Sequence, residues 1–183
     1  MSSLAGSSYV TDPDSDELLA LLKGLVDSGR HVALMAHINH WAEMETPLFK
    51  QAVKRLRSAG VTIRSQSPLL ANINDSAEIW SKMWRRQVSL GIIPYNMFVE
   101  RDTGSKQYFE VSLVRAYNIY KTALSQLTGL ARSARGPSMS CGPGKVELLG
   151  ITSIRSEKVF VLRFYKEETQ TGAINRFSQN MMN

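Results

Sequence analysis

The constraint that dominates this chain is an alternation, repeated about every thirty residues, of a short apolar run and a capped amphipathic stretch. His31-Val32-Ala33-Leu34-Met35-Ala36 is continuous and too short for a helix, so it reads as a strand buried on both faces. Before it, Asp14 and Glu17 form a capping box ahead of Leu18, Leu22, Leu25 and Val26, which predicts a helix running to Gly29. After it, Thr46-Pro47 supplies an N-cap and a first-turn proline. The predicted buried face there is Leu48, Ala52, Val53 and Leu56, and Gly60 stops the helix. The second unit pairs the strand Val61-Thr62-Ile63-Arg64-Ser65 with a helix capped by Asp75 and Glu78 and carrying Ile79, Trp80, Met83, Trp84 and Val88. In the third, a strand over 92–99 and a polar loop over 100–110 precede a helix. Ser112 caps it, and it presents Leu113, Ala116, Tyr117, Tyr120, Leu124 and Leu127 before Gly129. Residues 131–145 read as irregular, and 146–152 and 158–166 as two more strands.

Strand–helix alternation of this kind implies right-handed crossovers and a parallel sheet, hence an α/β fold. Three parallel strands are too few to close a barrel of about eight. The expected architecture is a partial parallel (β/α) barrel of about three βα units plus a C-terminal strand segment, with open edges, as in a part of something larger. Residues 12–166 form the expected domain, flanked by a flexible 1–11 and a polar tail at 167–183. Ligands of parallel sheets bind at the carboxyl ends of the strands. His37, Asn39 and His40, then Gln66, then the loop beginning at Glu100 and Arg101 are each expected there.

Composition narrows the class. A chain of 183 residues with 43% hydrophobic and 21% charged content suits one globular domain. No apolar run approaches the ~20 residues of a membrane span, and residues 1–10 lack a signal-peptide pattern, so a cytoplasmic setting without a membrane partner is expected. The net charge of +6 is spread along helices, in Lys54, Arg55, Arg57, Arg85 and Arg86, and reads as solvated faces rather than a nucleic-acid surface. The single cysteine, Cys141, excludes an internal disulfide and any iron–sulfur or thiolate zinc site built by this chain alone. His37 and His40 lack a third ligand at useful spacing, so no metal site is expected.

Chemistry concentrates in Ser138-Met139-Ser140-Cys141-Gly142-Pro143-Gly144-Lys145. Gly142 and Gly144 allow close backbone approach to a ligand and Pro143 stiffens the loop. A lysine so placed is either a Schiff-base former towards an aldehyde such as pyridoxal phosphate or an ordinary solvated turn residue. The residues by themselves leave both open.

Five motifs in order carry a resemblance. His37, Asn39 and His40 match a His-x-Asn-His after a strand; Ser65-Gln66-Ser67-Pro68-Leu69-Leu70 matches Asn-Gln-(Ser/Thr)-x-Leu-Leu; Asn74-Asp75 and Pro94-Tyr95 match an Asn-Asp and a Pro-Tyr. Cys141-Gly142-Pro143-Gly144-Lys145 matches a glycine run ending in a lysine. Together, residues 32–145 resemble the later barrel strands and carboxyl-terminal segment of the lysine 2,3-aminomutase family of radical S-adenosylmethionine enzymes. The resemblance implies an enzyme of isomerase type, in which a [4Fe-4S] cluster cleaves S-adenosylmethionine to a radical and an amino group held on pyridoxal phosphate migrates from C2 to C3. It implies that Lys145 carries pyridoxal phosphate, with Gly142 and Gly144 in its loop, and that His37 and Gln66 contact S-adenosylmethionine.

The departures are equally specific. The family's CxxxCxxC motif is absent, so this chain alone is not expected to cleave S-adenosylmethionine; a cluster-bearing amino-terminal half, or a homo-oligomer, is the expected partner. Two substrate aspartates of lysine-specific members are replaced by Arg101 and Ser138, which favours an acidic or neutral polar amino-acid substrate, although Asp102 reaches the same place with a one-residue shift. The alternatives are a degenerate, non-catalytic module that binds pyridoxal phosphate or a nucleotide, and an interaction protein.

Overall fold

The structure, a computed structural model, describes residues 12, 15–99, 106–142 and 144–167. Helix α1 (Asp16–Asp27) precedes strand β1 (Ala33–His37), a 3-10 turn (Trp41–Glu45), α2 (Pro47–Ser58), β2 (Thr62–Leu69), α3 (Ala77–Ser89) and β3 (Ile92–Val99). A one-turn α4 (Lys106–Phe109), α5 (Leu113–Ser125) and a second 3-10 turn (Gly129–Arg132) lead to β4 (Arg135–Cys141), β5 (Gly144–Ile154) and β6 (Glu157–Glu167). All six strands form one sheet in sequential order. β1 to β4 pair in parallel, and β5 and β6 return antiparallel. Sequential parallel neighbours joined by helices are what a partial (β/α) barrel requires, and the α/β expectation holds.

Local chemistry explains most helix starts. Thr46 Oγ1 accepts from the Phe49 N–H at 3.2 Å with Pro47 in the first turn. Ser112 Oγ accepts from the Arg115 N–H at 3.4 Å. Ser76, not Asp75, caps α3 by accepting from Ile79 N–H at 3.3 Å; Asp75 instead pairs with Arg115 of α5 at 2.8 Å. Asp14 lies outside the described residues, and α1 starts after Ser15, which makes no side-chain cap bond. On α2 the buried face is Phe49, Ala52, Val53 and Leu56, while Leu48 is exposed. Phe49 completes the i, i+3, i+4, i+7 stripe that packs on the sheet, and Leu48 falls off it. α5 ends at Ser125, short of Gly129, which instead opens the second 3-10 turn.

The core lies between the helices and one side of the sheet. Ile63, Leu69, Ile92 and Met97 meet Phe49, Val53, Trp80, Met83, Trp84 and Ile119 there. Trp80 and Trp84, with ring centroids 5.2 Å apart, are both buried. Each such ring removes roughly 150–250 Å² from water, at roughly 25 cal/mol/Å².

Two expectations fail in the sheet, one at its edge and one inside it. β1 buries only Ala36, and Leu34 and Met35 are exposed, because β1 is an edge strand with a neighbour on one side alone. The segment read as irregular is mostly β4, paired in parallel to β3 and in antiparallel to β5. Gly136 permits this. Its φ is +135°, and a Cβ there would lie 2.4 Å from the Met97 carbonyl oxygen of β3. Among the described residues no helix is long and apolar enough to cross a membrane.

Candidate functional site

Strand register sorts the side chains of the other sheet face into rows, since residues two apart on a strand share a face. His37 of β1 is paired with Gln66 of β2, Gln66 with Asn96 of β3, and Asn96 with Arg135 of β4. In the next row Pro68 pairs with Phe98, Phe98 with Ser138, Ser138 with Glu147 of β5, and Glu147 with Arg163 of β6. One step further, Ser140 of β4 faces Lys145 of β5. His37, Gln66, Ser138 and Lys145 therefore share one side of the sheet, opposite the helices. Gln66 lies inside β2 rather than after it, because that strand continues to Leu69.

The first row is held by direct contacts. The Gln66 amide nitrogen lies 2.7 Å from His37 Nε2. An amide nitrogen donates, so Nε2 accepts and the imidazole carries its proton on Nδ1. The Phe98 ring meets His37 edge-on, with centroids 6.1 Å apart. Below these side chains the loops after β1 and β2 are fastened by Asn74, which is fully buried. Its Oδ1 accepts from Leu70 N–H at 2.7 Å, and its amide donates to the Asn39 and Pro68 carbonyls, both at 2.9 Å. Ser67 Oγ donates to the Ile38 carbonyl across the same junction. His40 is structural: its Nδ1 accepts from Ala42 N–H at 3.3 Å while Glu43 accepts from the Asn39 and His40 N–H groups, at 2.8 and 2.9 Å.

The second row contains a buried acid that sequence reasoning passed over as part of an apolar run. Glu147 accepts from Gly136 N–H at 3.0 Å and forms an ion pair with Arg163. That pair and its hydrogen bonds hold the Arg163 guanidinium above its ordinary value. Burial first, and the neighbouring Glu147 carboxylate second, push the Tyr165 phenol up to about 12. Ser138 is buried and donates to Asn96 Oδ1 at 3.1 Å. Arg101 and Asp102, the other residues singled out for substrate choice, lie outside the described residues.

The glycine run is the turn of a β-hairpin, with Cys141 paired to Gly144 and Lys145 already in β5. Gly144 takes φ +135°, and a Cβ on Gly142 would meet nothing within 4 Å. Lys145 is exposed. The clefts on the helix side, lined by Lys23, Lys54 and Arg55, by Lys50 and Arg57, or by Trp41 and Lys82, include none of the predicted site residues.

No family model matches the chain. The L-lysine 2,3-aminomutase of Escherichia coli is 32% identical over 110 residues, which cover 60% of this chain and 32% of that protein. Those of Haemophilus influenzae and Buchnera aphidicola are each 31% identical, over 127 and 126 residues. These matches cover 67% and 68% of this chain and 36% of each relative. The chain is a lysine 2,3-aminomutase-like protein. It spans about a third of the length of the curated relatives it matches. Among solved structures, a radical SAM methyltransferase from Sphaerobacter thermophilus aligns with a TM-score of 0.42 and 12% identity over 59% of this chain and 35% of that one. That distant likeness carries no further weight.

The residues of this lysine 2,3-aminomutase-like chain fit the implied groups unequally. Among the described residues no hydrogen bond or ion pair holds the Lys145 ammonium, and the open space at Gly142 leaves room beside it, so the lysine suits an aldehyde cofactor. A four-iron cluster does not fit. The chain has one cysteine, whose Sγ lies 3.1 Å from the Gly144 carbonyl, and among the described residues no group of three or more His, Cys, Asp or Glu is arranged to hold a metal ion.

Proposed function

We propose that this chain is the lysine-bearing, carboxyl-terminal portion of a radical S-adenosylmethionine, pyridoxal-phosphate-dependent 2,3-aminomutase. On this reading it acts on an acidic or neutral polar α-amino acid and depends on a cluster-bearing segment from elsewhere. The observation that carries the reading is the common face of His37, Gln66, Ser138 and Lys145, in a chain whose matched relatives are lysine 2,3-aminomutases. Pyridoxal phosphate, when bound, supplies the electron-withdrawing ring that holds a migrating amino group.

Lys145 is the covalent anchor for its aldehyde, delivered at the mouth of a hairpin and without an ion pair among the described residues. His37 and Gln66 orient S-adenosylmethionine: their mutual bond leaves the Nδ1 proton of His37 and the amide oxygen of Gln66 for a ligand. By the resemblance, Ser138 and Arg101 occupy the sequence positions of the two aspartates that hold lysine's distal ammonium, and so offer a neutral hydroxyl and a cation instead. A guanidinium facing that ammonium adds like-charge repulsion to an unpaired-charge cost, whereas a distal carboxylate gains a bidentate partner. The exposed edge of β1 is where the remainder of the barrel adds its strands.

Incubation with pyridoxal phosphate, borohydride reduction and peptide mapping test the anchor. The adduct is expected on Lys145; an adduct on Lys23 or Lys158, or one undiminished in Lys145→Ala, would overturn it. Substrate preference is tested by joining the chain to a cluster-bearing half and offering glutamate and lysine, and turnover of lysine with Arg101 intact sinks it. The single cysteine supports a second reading, a non-catalytic module that keeps cofactor binding alone, which predicts the Lys145 adduct but no turnover in that assembly.

A further inference from the structure

Among the described side chains, the sheet face opposite the helices holds more positive charge than its acids neutralise, and the surplus is concentrated around one ring. Strands β1 to β4 contain no acidic residue, yet Arg64 of β2 and Arg135 of β4 both stand on this face. The nearby acid of β5, Glu147, is already engaged by Arg163 and by the Gly136 N–H. Between the two arginine-bearing strands, β3 is irregular: Ser65 pairs with Pro94 but Gln66 with Asn96, so Tyr95 is the extra residue of a bulge. Bulges re-aim a side chain, and this one brings the Tyr95 ring within 5.5 Å of the Arg64 guanidinium and 5.3 Å of that of Arg135. Arg135 also lies 5.9 Å from the Tyr165 ring. The Arg64 Nε is buried without a hydrogen-bond partner among the described residues.

We infer that Arg64, Tyr95 and Arg135 form a binding site for an oxyanion, a phosphate or a carboxylate, on this face of the sheet. Two guanidiniums gathered on one ring repel each other, and a buried donor without an acceptor is a standing cost. An oxyanion accepting from the Arg64 fork satisfies that donor, and its charge offsets the repulsion. The planar fork of arginine matches the oxygen spacing of carboxylate and phosphate, and contact with a tyrosine ring restricts the fork to few orientations. Asn96, paired with Arg135 and adjacent to Tyr95, has its Oδ1 taken by Ser138 and adds an amide donor at the same level. The ammonium of Lys145 plays no part, so the site stands whether or not that lysine carries a cofactor.

The test is a titration of the 183-residue chain, labelled with nitrogen-15 arginine, with sodium phosphate and separately with sodium glutarate, at constant ionic strength against sodium chloride. The Nε–Hε resonances of Arg64 and Arg135, assigned by Arg64→Lys and Arg135→Lys, are expected to shift saturably with the oxyanions and not with chloride. The tighter of the two separates a phosphate-ester ligand from a carboxylate one. Arg64→Gln or Arg135→Gln is expected to weaken binding about tenfold or more, the loss of one charged hydrogen-bond pair. Arg30→Gln, at an exposed residue away from this face, changes the net charge equally and is expected to leave affinity within about threefold. Absence of a saturable shift overturns the inference, and so does an equal loss in Arg30→Gln, which would mean diffuse charge rather than a site. Should Arg64→Gln not fold, Arg135→Gln, on an exposed residue, decides between the same outcomes.

Discussion

Replacing Asn74 with alanine tests whether one buried amide organises the carboxyl-terminal rim of β1 and β2. The side chain is wholly inaccessible and makes three hydrogen bonds, from Leu70 N–H and to the carbonyls of Asn39 and Pro68. Alanine strands one donor and two acceptors in a buried place. A stranded group costs about 1–3 kcal/mol, and carbonyls relax more readily than an N–H, so the sum is about 3–5 kcal/mol. A domain of ordinary stability has only about 5–15 kcal/mol in hand, so the variant should be close to unfolding at 37 °C. Urea denaturation followed by circular dichroism reads the loss as a shift of midpoint at constant slope. Asn74→Asp keeps an acceptor for Leu70 and removes both donors while placing a carboxylate against two carbonyls, so it should be no better than alanine. A loss below about 1 kcal/mol in Asn74→Ala would refute the reasoning, because it would mean that water or a backbone shift satisfies all three groups.

Three further outcomes are expected. Gly136→Ala should destabilise by about 2–4 kcal/mol in the same assay, since the new methyl group meets a backbone carbonyl at a φ that L-residues avoid. Tyr165 should ionise at about 12 in a spectrophotometric titration, and Glu147→Gln should lower that value by removing the carboxylate beside it. Because the folded chain holds this proton beyond the ordinary value of 10.0, its contribution to stability is complete below pH 10.0 and is lost as pH rises towards about 12. Anaerobic incubation with iron and sulfide should give no stoichiometric four-iron absorbance, because a single cysteine cannot replace three; a full-intensity cluster spectrum contradicts this.

What the sequence disclosed was whatever local chemistry determines. Thr46-Pro47 and Ser112 announced their helices because a cap and its target N–H lie within one turn, and β3 occupies the span its apolar run predicts. Residues 135–141 were opaque because glycine, proline and serine have no strand preference of their own; β3 and β5 impose the extended form on them. The exposure of Leu34 and Met35 was equally hidden, since burial of β1 depends on a neighbour that its own letters do not specify. In the candidate site, His37, Gln66 and Lys145 were legible from motif order. Glu147, Arg64 and Arg135 were not, for their partners Arg163 and Tyr95 lie on other strands far along the chain, and no spacing rule links residues so far apart. The one available clue was a glutamate interrupting an apolar run directly after the lysine.

The hairpin of β5 and β6 sets an order of events as well as a shape. Arg155 and Ser156, with φ of 50° and 69°, make a two-residue turn whose twist matches the strands it joins, so pairing starts there, beginning with Ile154 and Glu157. Such hairpins close in about 1–10 μs, whereas the parallel pairing of β3 with β4 must wait for the intervening helix α5 to fold and dock. Zipping away from the turn reaches the rung of Lys145 and Lys166 almost last, after the register shift at Val146. Lys145 is thus among the final residues to be fixed and, by the same ladder, among the first released when the sheet frays.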